Sequence, residues 1–177
     1  MKKIVLTFGL ISGAIVAGLM WLMMGLFKTG VVNFDNGEIF GYTTMIIALS
    51  MVFFGIKSYR DNNGGVIGFW KGVQVGILIS LIAAACYAVS WEVYVRTSGG
   101  SFMEEYTAHY IQKMKEKGAS AEEIAKTEQD MAAFGEMYKN PVIRFAMTLL
   151  EILPVGIIVT FISAALIRRK EMVPAPA

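Results

Sequence analysis

Four stretches of this chain are almost continuously apolar, and polar turns separate them. They cover residues 4–27, 39–56, 69–91 and 142–167. A helix needs about 20 apolar residues to cross a bilayer, so each run reads as a transmembrane helix, the second being the shortest. The first run, at 24 residues, exceeds the roughly 7–15 of a signal-peptide core, and no small-residue cleavage site follows it. It therefore reads as an uncleaved first span. Asp35-Asn36-Gly37 and Asp61 to Gly65 are turn sequences between the first three spans. Pro154 interrupts the fourth span and predicts a bend with a freed carbonyl near Leu150.

Between the third and fourth runs the pattern changes. Residues 97–141 are polar and rich in Glu and Lys, with apolar positions at helical spacing. Phe102, Tyr106, Tyr110 and Met114 recur every four residues; Ile124, Thr127, Met131, Phe134 and Tyr138 step by three and four. Ser101 with Glu104 and Ser120 with Glu123 fit capping boxes, and Gly118 between them is a helix stop. The expected architecture is all-α: a four-helix transmembrane bundle, residues 1–170, with an extracytoplasmic helical hairpin at about 101–139. Residues 171–177, rich in Pro and Ala, are expected to be disordered. Trp70 and Trp91 are expected to mark the two membrane interfaces of the third span.

Small residues recur every four positions along that third span: Gly68, Gly72, Gly76, Ser80, Ala84 and Ala88. Such ridges let helix backbones approach closely. Four residues turn a helix by 400°, so each step drifts about 40°. The first four share one face, and the two alanines wrap toward another neighbour. Gly9 and Gly13, and Ala14 with Gly18, suggest similar contacts on the first span.

Charge orients the bundle. Lys2, Lys3, Lys57, Arg60, Lys71, Arg168, Arg169 and Lys170 would all lie on one side, against Lys28 in the first loop. The polar segment before the fourth span holds more acidic than basic residues. The positive-inside rule then puts both termini in the cytoplasm of an inner membrane and the hairpin outside. The chain is 55% hydrophobic and 17% charged, with a mean hydropathy of +0.55, which is membrane rather than soluble composition. A net charge of +2 without a basic patch argues against nucleic acid. One cysteine, Cys86, and one histidine, His109, offer no disulfide, no metal spacing and no cofactor motif.

The run from Phe54 to Asp61, then Asn62-Asn63-Gly64-Gly65, then Gly68 to Gly76 with Lys71 and Gly72, resembles the DUF4199 family. Those are small four-helix inner-membrane proteins of unassigned function. The resemblance spans about residues 4–170. It implies the four-helix fold and no activity.

Few residues could carry chemistry. Glu151 stands about nine residues into the fourth span, roughly 13 Å deep at 1.5 Å per residue. An unpaired ionisable group there costs at least a few kcal/mol in lipid. It should therefore face the bundle, with Ser12, Ser50 and Ser80 as partners by depth. Its spacing puts it on one face with Arg144, Thr148 and Val155. Two readings are open: a proton- or cation-binding carboxylate, or a protonated group that hydrogen-bonds helices together. Glu92 pairs with Arg96 at i,i+4 or with Arg144 across helices, unless all three simply anchor the interface. Lys71 and Gln74 join Lys57 and Arg60 in a headgroup-facing cluster or an ordinary positive border. His109 reads as a surface side chain, and the Glu104-Glu105 and Glu122-Glu123 pairs as first-turn residues.

No nucleophile motif or phosphate loop appears. The expected role is non-enzymatic: an accessory or assembly protein in the lipid bilayer, packing against a second copy or a membrane-protein partner. The alternative is a small oligomeric transporter or channel using Glu151.

Overall fold

The computed structural model describes residues 1–98 and 102–168. Six helices follow in order: α1 (Lys2–Lys28), α2 (Gly37–Asp61), α3 (Phe69–Thr97), α4 (Phe102–Glu116), α5 (Ala121–Tyr138) and α6 (Pro141–Ile167). Four of them, α1, α2, α3 and α6, are long and apolar enough to cross a membrane. Each overruns its apolar stretch. α2 gains most, reaching 25 residues because Lys57 to Asp61 continue the helix into polar surroundings. Ser101 and residues 169–177 lie outside the described residues, so the first capping box and the C-terminal tail do too.

α2 and α3 pack on each other and each touches both α1 and α6. The section is thus a rhombus, with α1 and α6 at its far corners. Val16, Leu49, Val52, Ile56, Val75, Ile79 and Ile152 fill the centre at 1% exposure or less. Small residues bring the helices together. A Cβ placed on Gly76 would come within 2.6 Å of Thr160, and one on Gly72 within 3.1 Å of Ala164. On the opposite flank of α3, Gly9 faces Ile82 at 2.8 Å and Gly13 faces Cys86 at 2.6 Å. Gly55 against Ile79 and Gly156 against Ser80 are further close approaches, where any larger side chain would collide.

Two expected contacts are absent. Gly68 is the N-cap of α3, in extended backbone (φ −74°, ψ 152°), not part of the helix. A Cβ there meets nothing within 4 Å. The four-residue pattern ran on past the helix end, so the ridge begins at Gly72. Gly18 likewise meets nothing within 4 Å, and both it and Ala14 are exposed. They point away from α3, whose contact with α1 runs through Gly9 and Gly13.

α4 and α5 form the hairpin between α3 and α6. Gly118 turns it at φ +77°, where a side chain would be strained. Ser120 caps α5 reciprocally. Its hydroxyl accepts the Glu123 amide at 3.3 Å, and Glu123 Oε2 accepts the Ser120 amide at 2.9 Å. The Ser120 amide first, and then the Ser120 hydroxyl donating to Oε2 at 2.8 Å, hold the Glu123 carboxyl below its ordinary range. Asn140 caps α6 by accepting from Val142 N at 2.9 Å, with Pro141 at the first helical position.

Candidate functional site

The polar residues of the spans divide into three groups. The first is sealed. Ser12 donates to the Ala48 carbonyl at 2.7 Å, and Ser80 reaches the Gly156 carbonyl and Thr160 Oγ1, each at 3.4 Å. Thr148 donates to the Arg144 carbonyl at 2.9 Å. Among the described residues, every buried side-chain nitrogen and oxygen has a partner. The two serines bind helix to helix, whereas Thr148 bonds within its own helix.

The second group is an ion pair at the hairpin end. Arg144 Nε donates to Glu92 Oε1 and Nη2 to Oε2, both at 2.7 Å. This is the two-pronged geometry that makes Arg–carboxylate pairs strong. Nη1 donates to the Tyr138 carbonyl at 2.9 Å, and the Tyr138 ring lies 5.6 Å from the guanidinium. The side chains are only 8% and 13% exposed, which makes the pair structural rather than a border anchor. Arg96 approaches Glu92 at 3.9 Å but is 72% exposed, so it contributes little. The Trp91 indole N–H donates to the Tyr138 hydroxyl at 2.6 Å. Burial raises the Tyr138 phenol above its ordinary value, and the indole bond opposes that rise. Trp91 itself is 8% exposed. Phe102 of the hairpin covers it with ring centroids 5.2 Å apart, so its ring packs on protein.

The third group is Glu151 alone. The buried face of α6 carries Arg144, Thr148, Ile152, Gly156 and Thr160. It advances by fours, not by the 4-3-4 step that would include Glu151. That carboxylate turns outward and is exposed. The reason is packing: Gly156 and Thr160 must meet the α3 ridge, and this fixes the helix rotation. None of the three expected serine partners bonds to Glu151; Ser50 donates to the Ile47 carbonyl at 2.6 Å. Among the described residues Glu151 has no hydrogen bond or ion pair. The Tyr87 hydroxyl of α3 is near enough to interact with it electrostatically.

Sequence reasoning missed one cluster. Asp35, in the first loop, accepts from Lys113 and pairs with His109 Nε2 at 3.0 Å. Lys113 first, then His109, holds the Asp35 carboxyl below its ordinary range. Phe34 beside it contacts Phe102, Tyr106 and His109. The cluster ties α4 to the loop before α2. His109 and Asp35 stand 74 positions apart, and nothing local in the sequence signals the contact. On the other side of the membrane-spanning region, Lys71 donates to Gln74 at 2.8 Å and Arg60 to Asp61 at 2.8 Å. Among the described residues no three His, Cys, Asp or Glu side chains gather as a metal site would require.

A sealed apolar bundle of four long helices with an amphipathic hairpin defines an integral, multi-pass membrane protein. A family model described as a protein of unknown function, DUF4199, matches residues 7–169, and the chain belongs to that family. No curated protein and no solved structure matches it.

Proposed function

We propose that this protein is a non-enzymatic accessory or assembly protein that acts by packing against another membrane-embedded chain. One observation carries this reading: Glu151 sits near mid-span on the open surface of α6 without a partner. It follows Pro141 by ten residues, about 15 Å down the axis at 1.5 Å per residue. Left in lipid, an ionised carboxylate there costs at least a few kcal/mol. A neighbouring helix that accepts or donates a hydrogen bond offsets that cost. Leu150, Ile158 and Ile162 around it are 70%, 59% and 56% exposed, an apolar surface that another helix can cover. The saturated hydrogen bonding of the interior supports the same reading, because it leaves no polar track through the bundle.

The charge distribution supports an inner-membrane location with both termini cytoplasmic and the hairpin outside. A reporter fused after Lys117 reads out that orientation.

A photo-crosslinking residue at Leu150, irradiated in native membranes, tests the assembly reading. It should give discrete protein–protein adducts that weaken in a Glu151→Leu background. Adducts to lipid alone would overturn it. A second reading, an oligomeric transporter, draws on the Tyr87 hydroxyl standing within electrostatic range of Glu151. It requires proton or cation flux in liposomes that Glu151→Gln abolishes.

A further inference from the structure

The hairpin is not packed as its sequence would allow. Among the described residues α5 buries no side chain, and α4 buries only Ile111. Yet both helices carry apolar stripes, and an amphipathic helix gains most of its stability by burying such a face. Three of the stripe residues, Phe102, Met131 and Tyr138, line a cavity of about 920 Å³ between α4, α5 and the adjoining ends of α3 and α6, together with Met103, Ile111 and a set of charged and polar side chains. That is in the range of small-molecule sites.

Its walls are Phe102, Met103, Ile111, Met131 and Tyr138, with Val95 from the end of α3. Methionines let such a wall adapt to a flexible apolar guest. Arg144, at the start of α6, belongs to the lining. A guanidinium has five N–H donors. Glu92 and the Tyr138 carbonyl take three of them, which leaves two. The charged rim is close to balance: Glu104, Glu128 and Glu136 face Lys115 and Lys139, and the charge of Arg144 is met by Glu92 outside the lining. A strongly anionic or cationic guest finds no large excess of opposite charge here. Val95 and Arg144 belong to membrane-spanning helices, so the cavity adjoins the membrane boundary.

We infer that this cavity takes an acyl chain of a zwitterionic phospholipid, with the free Arg144 N–H groups directed at an ester or phosphate oxygen. The chain covers the half-exposed Met103 and Met131 side chains that line the cavity from α4 and α5. This inference is independent of Glu151, which does not line the cavity.

The test uses the full chain in phosphatidylcholine nanodiscs containing a trace of phosphatidylcholine with a diazirine on its acyl chain. After irradiation, adducts are mapped by peptide mass spectrometry. Gly135→Leu and Ala132→Phe fill the cavity from α5. A Cβ at Gly135 meets nothing within 4 Å, so the first variant should fold, and two variants guard against the failure of either. The expected result is labelling at Met103, Ile111 or Met131, falling at least severalfold in both variants. Labelling of Leu150 and Ile158 on the outer face of α6 should not change. Excess unlabelled phosphatidylcholine should compete at the cavity residues, and phosphatidylglycerol should compete less. Labelling confined to the outer faces of the spans would overturn the inference. So would cavity labelling that neither variant reduces, or equal competition by both lipids.

Discussion

The α3/α6 seam and the α4–α5 hairpin meet at Arg144, yet they are built on opposite terms. In the seam, small residues face small residues: Gly72 meets Ala164, Gly76 meets Thr160, and Ser80 meets Gly156. Every buried polar atom there is paired, and backbone proximity does the packing. In the hairpin, large apolar side chains are half-covered and no α5 residue is buried. Stability there comes from caps, an aromatic cluster and charges. The seam is a finished contact between two helices of one chain. The hairpin is an unfinished one, and the open surface beside Glu151 is another. The two proposed contacts, with lipid at the hairpin and with another chain beside Glu151, fall at those two places rather than inside the bundle.

The largest effect should come from the junction. Arg144→Ala strands the Glu92 carboxylate and frees the Tyr138 carbonyl. Breaking a buried pair from one side costs about 3–5 kcal/mol, so the melting temperature in mild detergent should fall steeply. Removing both charges with Glu92→Leu and Arg144→Leu should recover most of that loss, because a packed apolar pair of similar volume is often neutral. Equal losses in the single and double variants would mean that the pair contributes more than mutual neutralisation.

Gly76→Leu comes next. Overpacking a closed contact costs about 1–3 kcal/mol, and here Thr160 would stand within 2.6 Å of the new Cβ. Gly68→Leu, with no neighbour within 4 Å, should leave the melting temperature nearly unchanged. If the two variants melt alike, the seam is not where the structure puts it.

The smallest effect is on the hairpin tether. Lys113 and His109 depress the Asp35 carboxyl. A depressed carboxylate stabilises the fold above its unfolded value of about 3.9 and loses that contribution as pH falls through the lower folded value. Amide exchange in α4 should accelerate as pH drops below about 4, after correction for the intrinsic rate, while exchange in the seam does not. Asp35→Asn should remove the difference.

Much of this fold was legible in the sequence. Apolar runs gave the four spans, the Ser120–Glu123 spacing gave the α5 cap, and the four-residue recurrence gave Gly72, Gly76 and Ser80. The readings that failed depended on where a helix ends or how it is rotated. Gly68 continues the spacing but lies one residue before the helix, and spacing cannot see a terminus. Glu151 and Ile152 differ by 100° of rotation. The choice between them was made by Gly156 and Thr160 fitting the α3 ridge, a contact between distant segments. The cost of a lipid-facing carboxylate argued for an inward Glu151, but within one chain packing of the whole helix outweighed that one residue. The burial of Trp91 was hidden for a related reason: the hairpin folds over it, and a window along α3 contains no trace of Phe102.

The proposed assembly role rests on the outward Glu151 meeting another membrane-embedded chain. Native mass spectrometry of the protein released from lipid nanodiscs, with wild type compared with Glu151→Leu, reads this out. Wild type should leave the membrane as a defined oligomer or with a bound membrane protein, and the variant should leave as a monomer. A monomeric wild type with no bound protein, indistinguishable from Glu151→Leu, would contradict it.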